Sequence, residues 1–226
     1  MLDQNAPIRG TETRTLAHWR LAGGLALAHV VLMFAGLSQE VSPVHGDAAD
    51  KVLATFAGAS FDRVLVGGFV ESLGFIVLLP ALVFLARAVG RGSEAGRWAG
   101  QTALAAGIAY VAVTLASGFP PGAAALYGAQ HGADAQTVAV VDEIRIYAFF
   151  LSVLLLGLHA ISVGIAALAD RRFTRWVGYG GVLAGIATLA GVAAGAVNVA
   201  SMVWIVWWVG VAVCLLRGPG RGDLAA

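Results

Sequence analysis

Cysteine, lysine and charge are scarce in this sequence. Its 226 residues include one cysteine, Cys214, and one lysine, Lys51, while lysine and arginine together number 14. A single cysteine excludes an intramolecular disulfide and a four-thiolate metal site. Charged residues make up 12% of the chain, about half the fraction usual in soluble domains. The net charge of +1 provides no field that would attract nucleic acid.

Long apolar runs take the place of charge. The chain is 59% hydrophobic with a mean hydropathy of +0.82, and apolar stretches of about 20 residues separate its charged clusters. This pattern predicts an all-α polytopic membrane protein, a six-transmembrane helix bundle that forms one domain over residues 1–226 and contacts the lipid bilayer. The predicted spans are about 19–38, 64–89, 98–119, 146–168, 176–197 and 199–216.

The basic residues predict an orientation. Three of them, Lys51, Arg63 and Arg145, fall on one side of the predicted bundle and eleven on the other. The eleven are Arg9, Arg14, Arg20, Arg87, Arg91, Arg97, Arg171, Arg172, Arg175, Arg217 and Arg221. Since basic residues are enriched in cytoplasmic loops, both termini are predicted to be cytoplasmic. The many arginines, alanines and glycines are typical of a GC-rich bacterial genome, so the predicted location is a bacterial inner membrane.

The first span is predicted to remain as a helix and not to be a cleaved signal peptide. It is long, carries His29 at its centre and has no A-x-A cleavage site after it. Trp19, Trp98 and Trp176 lie at the cytoplasmic ends of their predicted spans. Because tryptophan is enriched at membrane–water interfaces, these three are predicted to be interfacial anchors.

The predicted outer loops contain two short elements. The stretch GDAADKVLATFAGA predicts a surface helix with Asp47 as its cap. Pro120 and Pro121 are predicted to end the third span, after which the chain folds back as a short interfacial element. The fifth and sixth spans are predicted to meet in a tight hairpin near Asn198.

The third and fifth spans begin alike. RWAGQTALAAGIA (97–109) and RWVGYGGVLAGIA (175–187) match at seven of thirteen positions with an offset of 78. The match indicates a repeated helical hairpin, spans 2–3 and spans 4–5, although an Arg-Trp anchor followed by small residues can also arise by convergence. Gly181-x-x-x-Gly185 and Gly191-x-x-x-Gly195 predict close helix packing along the fifth span.

Polar residues interrupt the apolar runs. Glu71 lies in GGFVESLG on the second span, His29 in the first span and Tyr110 in the third. On the fourth span Asp142, Arg145, Ser152 and His159 share one helical face, and polar side chains avoid lipid, so this face should point into the bundle. Counting residues places Glu71 and Arg145 in an outer layer, and His29 and His159 level with each other at roughly 14 Å depth.

Several interpretations of this polar set remain open. Glu71 and Arg145 could form a purely structural ion pair, or Glu71, Arg145, His29, His159 and Tyr110 could surround a polar site that binds or passes a small molecule, lipid or proton. His29 and His159 could also hold a haem, although no other cofactor and no metal site is expected. Trp204 and Trp208 share a face of the sixth span and either pack on the fifth span or hold a flat apolar ligand.

An enzyme is the alternative to a binding protein. In that interpretation Glu71 or Asp142 is the general acid, and the tryptophans hold a hydrophobic substrate of the isoprenoid or quinone type. The chain has no paired Asp-rich motif of the kind that binds metal and diphosphate. The sequence leaves homo-oligomerisation open.

Three stretches resemble a known family. They are RLAGGLALAHVVLMFAG in the first span, VGGFVESLGFIVLLPALVFL in the second, and FFLSVLLLGLHAISVGIAALADRRFTRWVGYGGVLAGIA from the fourth into the fifth. In these the chain is similar to the domain-of-unknown-function 4386 family of bacterial six-helix integral membrane proteins, which often shows an acidic residue near Glu71. Related sequences often carry an Arg and a Glu in the third span, where this chain has only Tyr110. The resemblance implies an architecture and no activity.

Overall fold

The computed structural model describes residues 8–90, 93–169 and 173–219. Its helices are α1 (Ile8–Leu37), α2 (Ala49–Ala57), α3 (Phe61–Val89), α4 (Glu94–Val113), a π-helical turn (Thr114–Gly118), α5 (Phe119–Gln130), α6 (Ala135–Ala169), α7 (Arg175–Ala193) and α8 (Val197–Arg217). There is no strand in the described part of the chain. Of the basic residues that predict orientation, Arg91, Arg171, Arg172 and Arg221 lie outside the described residues, as do the side chains of Arg9 and Arg14.

Within the described part of the chain, six helical segments are long and apolar enough to cross a membrane, which confirms the predicted architecture. They are Leu16–Leu37, Phe61–Val89, Glu94–Gln130, Ala135–Ala169, Arg175–Ala193 and Val197–Arg217. Helices satisfy all their backbone hydrogen bonds internally, so they are stable where there is no water to bond to.

The six long helices form a closed ring. Each packs against the next in the order α1, α3, α4, α6, α7 and α8, and α8 packs against α1. A Cβ atom built on Gly218 would lie 2.8 Å from a Leu16 methyl group, so the start of the first span and the end of the last share one face. We call the opposite face, which carries α2, α5 and the first turns of α6, the cap face.

The third span does not end at its proline pair, contrary to the sequence-based prediction. The helix continues from α4 through the π-helical turn into α5, with the prolines in the first turn of α5. Because proline has no N–H to donate inside the helix, the π-helical turn just before the prolines absorbs the change in hydrogen bonding. A hydrophobic cluster joins α5 to α2 and α6 and comprises Val52, Phe56, Ala125, Leu126 and Val138. The fourth span accordingly begins at Ala135 and not near residue 146.

The surface helix α2 forms as predicted, but Asp47 does not cap it. The N-cap position is Ala48, which offers no side-chain hydrogen bond. Asp47 accepts hydrogen bonds from the Val44 amide at 3.0 Å and from Lys51 Nζ at 2.6 Å. It therefore closes the turn before the helix and does not satisfy an amide of the helix itself.

Two of the three predicted tryptophan anchors are exposed. Trp98 is 66% exposed and Trp176 50%, as an interfacial side chain should be. Trp19 is buried, with its ring centroid 5.4 Å from that of Phe84 and 5.3 Å from that of Phe173. The prediction was wrong for Trp19 because the face of α1 that carries it points into the ring of helices.

Glycine contacts recur at the offset of the sequence repeat. A Cβ atom on Gly100 would lie 3.0 Å from the Ala86 carbonyl oxygen, and one on Gly178 would lie 3.3 Å from the Gly164 carbonyl oxygen. Both partners are displaced by the same 78 residues that separate the matching segments. The α3–α4 and α6–α7 hairpins therefore share a packing contact as well as a sequence pattern.

The predicted glycine pairs of the fifth span have different roles. Gly185 packs on α6, where a Cβ atom would lie 2.5 Å from the Gly157 carbonyl oxygen, and Gly181 packs on Ala160 of the same helix. Gly191 instead faces Ala200 of α8. Gly195 lies beyond the end of α7 with φ +75°, so it serves the tight turn into α8, where glycine carries no steric cost.

Candidate functional site

A pair of carboxyl groups lies where α1 and α3 cross. A Cβ atom on Gly36 would lie 2.6 Å from Cβ of Glu71, so the two backbones approach closely. This crossing places Glu40, just beyond the end of α1, beside Glu71, which is 6% exposed, and the two carboxyl groups are close enough to share a hydrogen bond. Since ionised carboxylates only accept hydrogen bonds, the two groups form this bond when one of them is protonated.

Arg145 is not the direct partner of Glu71. Its Nε donates to Asp142 Oδ1 at 2.6 Å and its Nη2 donates to the Pro43 carbonyl oxygen at 3.4 Å. The ion pair that the sequence suggested between Glu71 and Arg145 does not form, because Asp142, one turn away on the same helix, binds Arg145 instead. The Arg145 charge still acts on both Glu40 and Glu71.

Glu40 is the site residue that the sequence did not reveal. Burial raises the pKa of its carboxyl above the usual range, against the lesser effects of the hydrogen bond to Glu71 and the Arg145 charge. Glu40 lies just after a predicted span, where the sequence indicated only a loop. The glycines Gly36 and Gly67, on either side of the crossing, are the signal that could have paired it with Glu71.

A polar cleft opens beside Glu40. Its volume is about 380 Å³, and it is lined by Ser38, Gln39, Glu40, Val41, Gly58, Ala59, Ser60, Arg63 and Val64. Arg63 Nε donates to Gln39 Oε1 at 2.8 Å across this lining. Glu40 therefore belongs both to the cleft and to the buried carboxyl pair, and links one to the other.

The polar stripe on α6 points inward, as predicted. Asp142, Ser152 and His159 are buried, and the Ser152 hydroxyl lies 3.0 Å from that of Thr114 in the π-helical turn. Arg145 is accommodated by Gly122 of α5, where a Cβ atom would lie 3.0 Å from its Cδ.

The two central histidines hold the same tautomer at different depths. Nδ1 lies 3.0 Å from the Gly74 carbonyl oxygen in His29, and 2.8 Å from the Ala103 carbonyl oxygen in His159. A carbonyl only accepts, so each Nδ1 donates and each neutral ring keeps its lone pair on Nε2.

The prediction that these histidines lie level is wrong. His29 is bonded beside Gly74 of α3, whereas Gly107, next to His159, packs on Leu82 of α3. Positions 74 and 82 differ by eight residues, which corresponds to roughly 12 Å along a helix. The residue count failed because it assumed that the cytoplasmic ends of the first and fourth spans lie at one depth.

Aromatic rings connect the two histidines. Successive centroid distances are 5.2 Å from His29 to Phe75, 5.3 Å from Phe75 to Tyr110, 6.1 Å from Tyr110 to Trp204 and 6.2 Å from Trp204 to His159. The structure thus brings four predicted site residues into one cluster, and adds Phe75. Haem ligation stays a prediction, and no group of three metal-binding side chains occurs among the described residues.

Trp204 and Trp208 join this cluster, while Trp207 packs on the fifth span. Trp204 and Trp208 stack with centroids 5.2 Å apart and planes 12° apart. Trp207 Nε1 donates to the Val177 carbonyl oxygen at 3.3 Å, and its ring covers Gly181. Of the three tryptophans, Trp207 is therefore the one shown to pack on the glycine-rich fifth span.

These features define a multi-pass integral membrane protein with two buried polar regions: a carboxyl pair under the cap face and an aromatic cluster at the centre of the ring. No family model, no curated protein and no solved structure matches this chain.

Proposed function

We propose that the protein takes up and releases a proton at the Glu40–Glu71 pair, which is reached through the cap-face cleft. The observation that carries this proposal is the close approach of the two carboxyl side chains at the α1–α3 crossing, where a Cβ atom on Gly36 would lie 2.6 Å from Cβ of Glu71 and one on Gly67 would lie 3.4 Å from Cγ of Glu40. Two carboxyl groups that share a site cannot both ionise cheaply, so the last proton is held strongly. A carboxyl pair of this kind therefore binds a proton.

The surrounding charges favour a proton as the neutralising cation. The ion pairs among the described residues are His45–Glu143, Lys51–Asp47 and Arg145–Asp142, and none of them includes Glu40 or Glu71. Arg145 acts on the pair from a distance while it is bonded to Asp142. The pair is therefore left without a side-chain cation in direct contact.

The cleft supplies the route. Glu40 lines it and is partly exposed, whereas Glu71 is buried. A proton that reaches Glu40 from water can pass to Glu71 along the hydrogen bond between them, since either carboxyl group can hold the proton. The proposed role is therefore to bind or pass a proton within the outer part of the bundle.

Proton uptake in vesicles tests this proposal. Purified protein is reconstituted into liposomes that contain a pH-sensitive dye, and an external acid step is applied. We expect wild-type protein to acidify the interior faster than empty vesicles do, and Glu71→Gln to act at the rate of empty vesicles. Glu143→Gln removes a partly exposed acid on the same face and should behave as wild type.

One outcome would contradict the proposed proton site, and another would contradict only the passage of a proton across the membrane. If folded Glu71→Gln acidifies the vesicles as wild type does, the carboxyl pair is not the proton site. If wild type does not acidify them, infrared difference spectra of a pH step still show whether the pair binds a proton. A protonated carboxyl band that is lost in Glu71→Gln supports binding without passage, and no such band overturns the proposal.

We further propose a bacterial cytoplasmic membrane location with both termini inside, which the unequal distribution of basic residues supports. Single-cysteine variants in a Cys214→Ser background check it. A membrane-impermeant maleimide added to intact cells, with the outer membrane permeabilised, should label Asp50→Cys on α2 and leave Glu94→Cys unlabelled until the cells are lysed. Both positions are exposed and lie on opposite faces. The reverse labelling pattern would contradict this orientation.

Membership of the domain-of-unknown-function 4386 family is likewise a proposal. It rests on the three stretches quoted above, of which the second contains Glu71. The six-span architecture that the resemblance implies is the one that the structure has.

A further inference from the structure

Four buried ring nitrogens have no hydrogen-bond partner among the described residues; one is His29 Nε2, and the other three belong to side chains in mutual contact at the centre of the ring of helices. His159 Nε2, Trp204 Nε1 and Trp208 Nε1 are buried and form no hydrogen bond with any described residue. Each of these residues is at most 2% exposed. Their rings are in mutual contact, with centroids 5.7 Å apart for His159 and Trp208, 6.2 Å for His159 and Trp204, and 5.2 Å for the two indoles.

Each of these three nitrogen atoms can be assigned as a hydrogen-bond donor or acceptor. The Ala103 carbonyl oxygen lies 2.8 Å from His159 Nδ1, so that nitrogen carries the proton and Nε2 is an acceptor. Each indole Nε1 carries a hydrogen and can only donate. The cluster therefore presents one acceptor and two donors.

Only some chemical groups can satisfy this set. A carbonyl oxygen accepts from both indoles and leaves His159 Nε2 without a donor. An ammonium group donates to His159 and leaves both indoles without an acceptor. A hydroxyl group has one hydrogen and two lone pairs, so it matches all three atoms. The match matters because a buried polar group without a partner costs about 1–3 kcal/mol.

We propose that His159, Trp204 and Trp208 form a hydroxyl-binding site, which we call the indole site. Its occupant is either a water molecule or the hydroxyl of a flat, lipid-soluble phenol that lies along the indole pair. The two indoles stack on each other with planes 12° apart, so two aromatic rings border the site. Gly107 lets α4 pack close to His159, since a Cβ atom there would lie 3.2 Å from His159 Nδ1 and 2.9 Å from a Leu82 methyl group.

The indole site is separate from the carboxyl pair. Tyr110 contacts Trp204 on one side and Phe75 on the other, and Phe75 follows Glu71 by one helical turn on α3. The indole site therefore lies deeper in the ring than the Glu40–Glu71 pair, and it does not depend on proton uptake there.

Ultraviolet resonance Raman spectroscopy of the purified wild-type protein tests occupancy directly. The indole N–H bands of Trp204 and Trp208 are assigned by difference against Trp204→Phe and Trp208→Phe. We expect both bands at the hydrogen-bonded position.

Probe binding distinguishes the two occupants. Tryptophan quenching is titrated with 1-naphthol, with naphthalene, which lacks the hydroxyl, and with 1,4-naphthoquinone, which has carbonyls instead. If the occupant is a phenol, 1-naphthol should bind about tenfold more tightly than naphthalene, as one buried hydrogen bond implies. In His159→Phe this ratio should fall to about one, because phenylalanine keeps the ring and removes the acceptor.

The matched control is His29→Phe. His29 is the other buried histidine that donates from Nδ1 to a backbone carbonyl, and its ring contacts Phe75 and not the indoles. His29→Phe should leave the preference for 1-naphthol unchanged.

Each outcome decides the matter. Hydrogen-bonded N–H bands without added probe and without a preference for 1-naphthol identify water as the occupant. A preference for 1-naphthol that His159→Phe removes identifies a phenol. Free N–H bands in wild type with no preference for 1-naphthol overturn the site. Equal binding of 1-naphthol and 1,4-naphthoquinone, unaffected by His159→Phe, overturns its specificity for a hydroxyl.

Discussion

Replacing Glu40 with glutamine should reduce the pH dependence of the protein's thermal stability. Burial raises the pKa of Glu40 in the folded protein, so between the ordinary carboxyl pKa and the raised one the folded state binds a proton that the unfolded chain has lost. Stability is then full below the ordinary pKa and falls as the pH rises through the folded value. For one proton the slope is at most about 1.4 kcal/mol per pH unit.

The measurement is the midpoint of thermal unfolding in detergent at a series of pH values from acidic to weakly basic. Wild type should lose stability as the pH rises, and Glu40→Gln should give a shallower profile over the same interval, because one of the two carboxyl groups, that of Glu71, remains buried. Asp50→Asn removes an exposed acid from α2 and should keep the wild-type profile. A wild-type midpoint that rises with pH, or a Glu40→Gln profile as steep as wild type, would show that Glu40 does not hold the linked proton.

Replacing Gly164 with alanine should destabilise the bundle more than any other conservative change that we propose. The added Cβ would lie 2.6 Å from the Gly178 carbonyl oxygen and 2.7 Å from the Val182 amide nitrogen. Both are backbone atoms of α7, so relief requires moving a whole helix and not a side chain. Overpacking of this kind costs about 1–3 kcal/mol, and the rigid backbone places this site at the upper end.

Gly24→Ala is the matched control. It also lies inside a long helix, α1, but a Cβ atom there would meet no atom within 4 Å. We expect its midpoint to stay within a degree or two of wild type or to rise, because alanine is the better helix former by up to about 1 kcal/mol in water. Equal midpoints for the two variants would mean that α6 and α7 do not cross closely at Gly164.

The local pattern of apolar and polar residues was enough to predict the six spans and the helix faces that point into the bundle. Apolar runs of membrane-crossing length predict helices whatever surrounds them, and all six are present. The spacing of Asp142, Ser152 and His159 predicted a buried stripe, and these three side chains are buried. A single helix has a fixed angular period, so its sequence alone tells which residues share a face.

Registers between helices could not be predicted in the same way. The depths of His29 and His159 were estimated from the ends of their own spans, but those ends do not lie in one plane. The proline pair was expected to end the third span, yet the π-helical turn lets the helix continue into α5. Both errors concern where one element stands relative to another, which no single periodicity encodes.

The sequence by itself determined a six-span, all-helical membrane protein with acids, histidines and indoles turned inward. Only the tertiary structure decided which of these groups meet. It paired Glu71 with Glu40, because Gly36 brings α1 against α3, and it left Arg145 with Asp142. Helical periodicity sets the direction of a side chain, whereas its partner depends on how closely and at what height two helices cross, which is a property of the packed bundle.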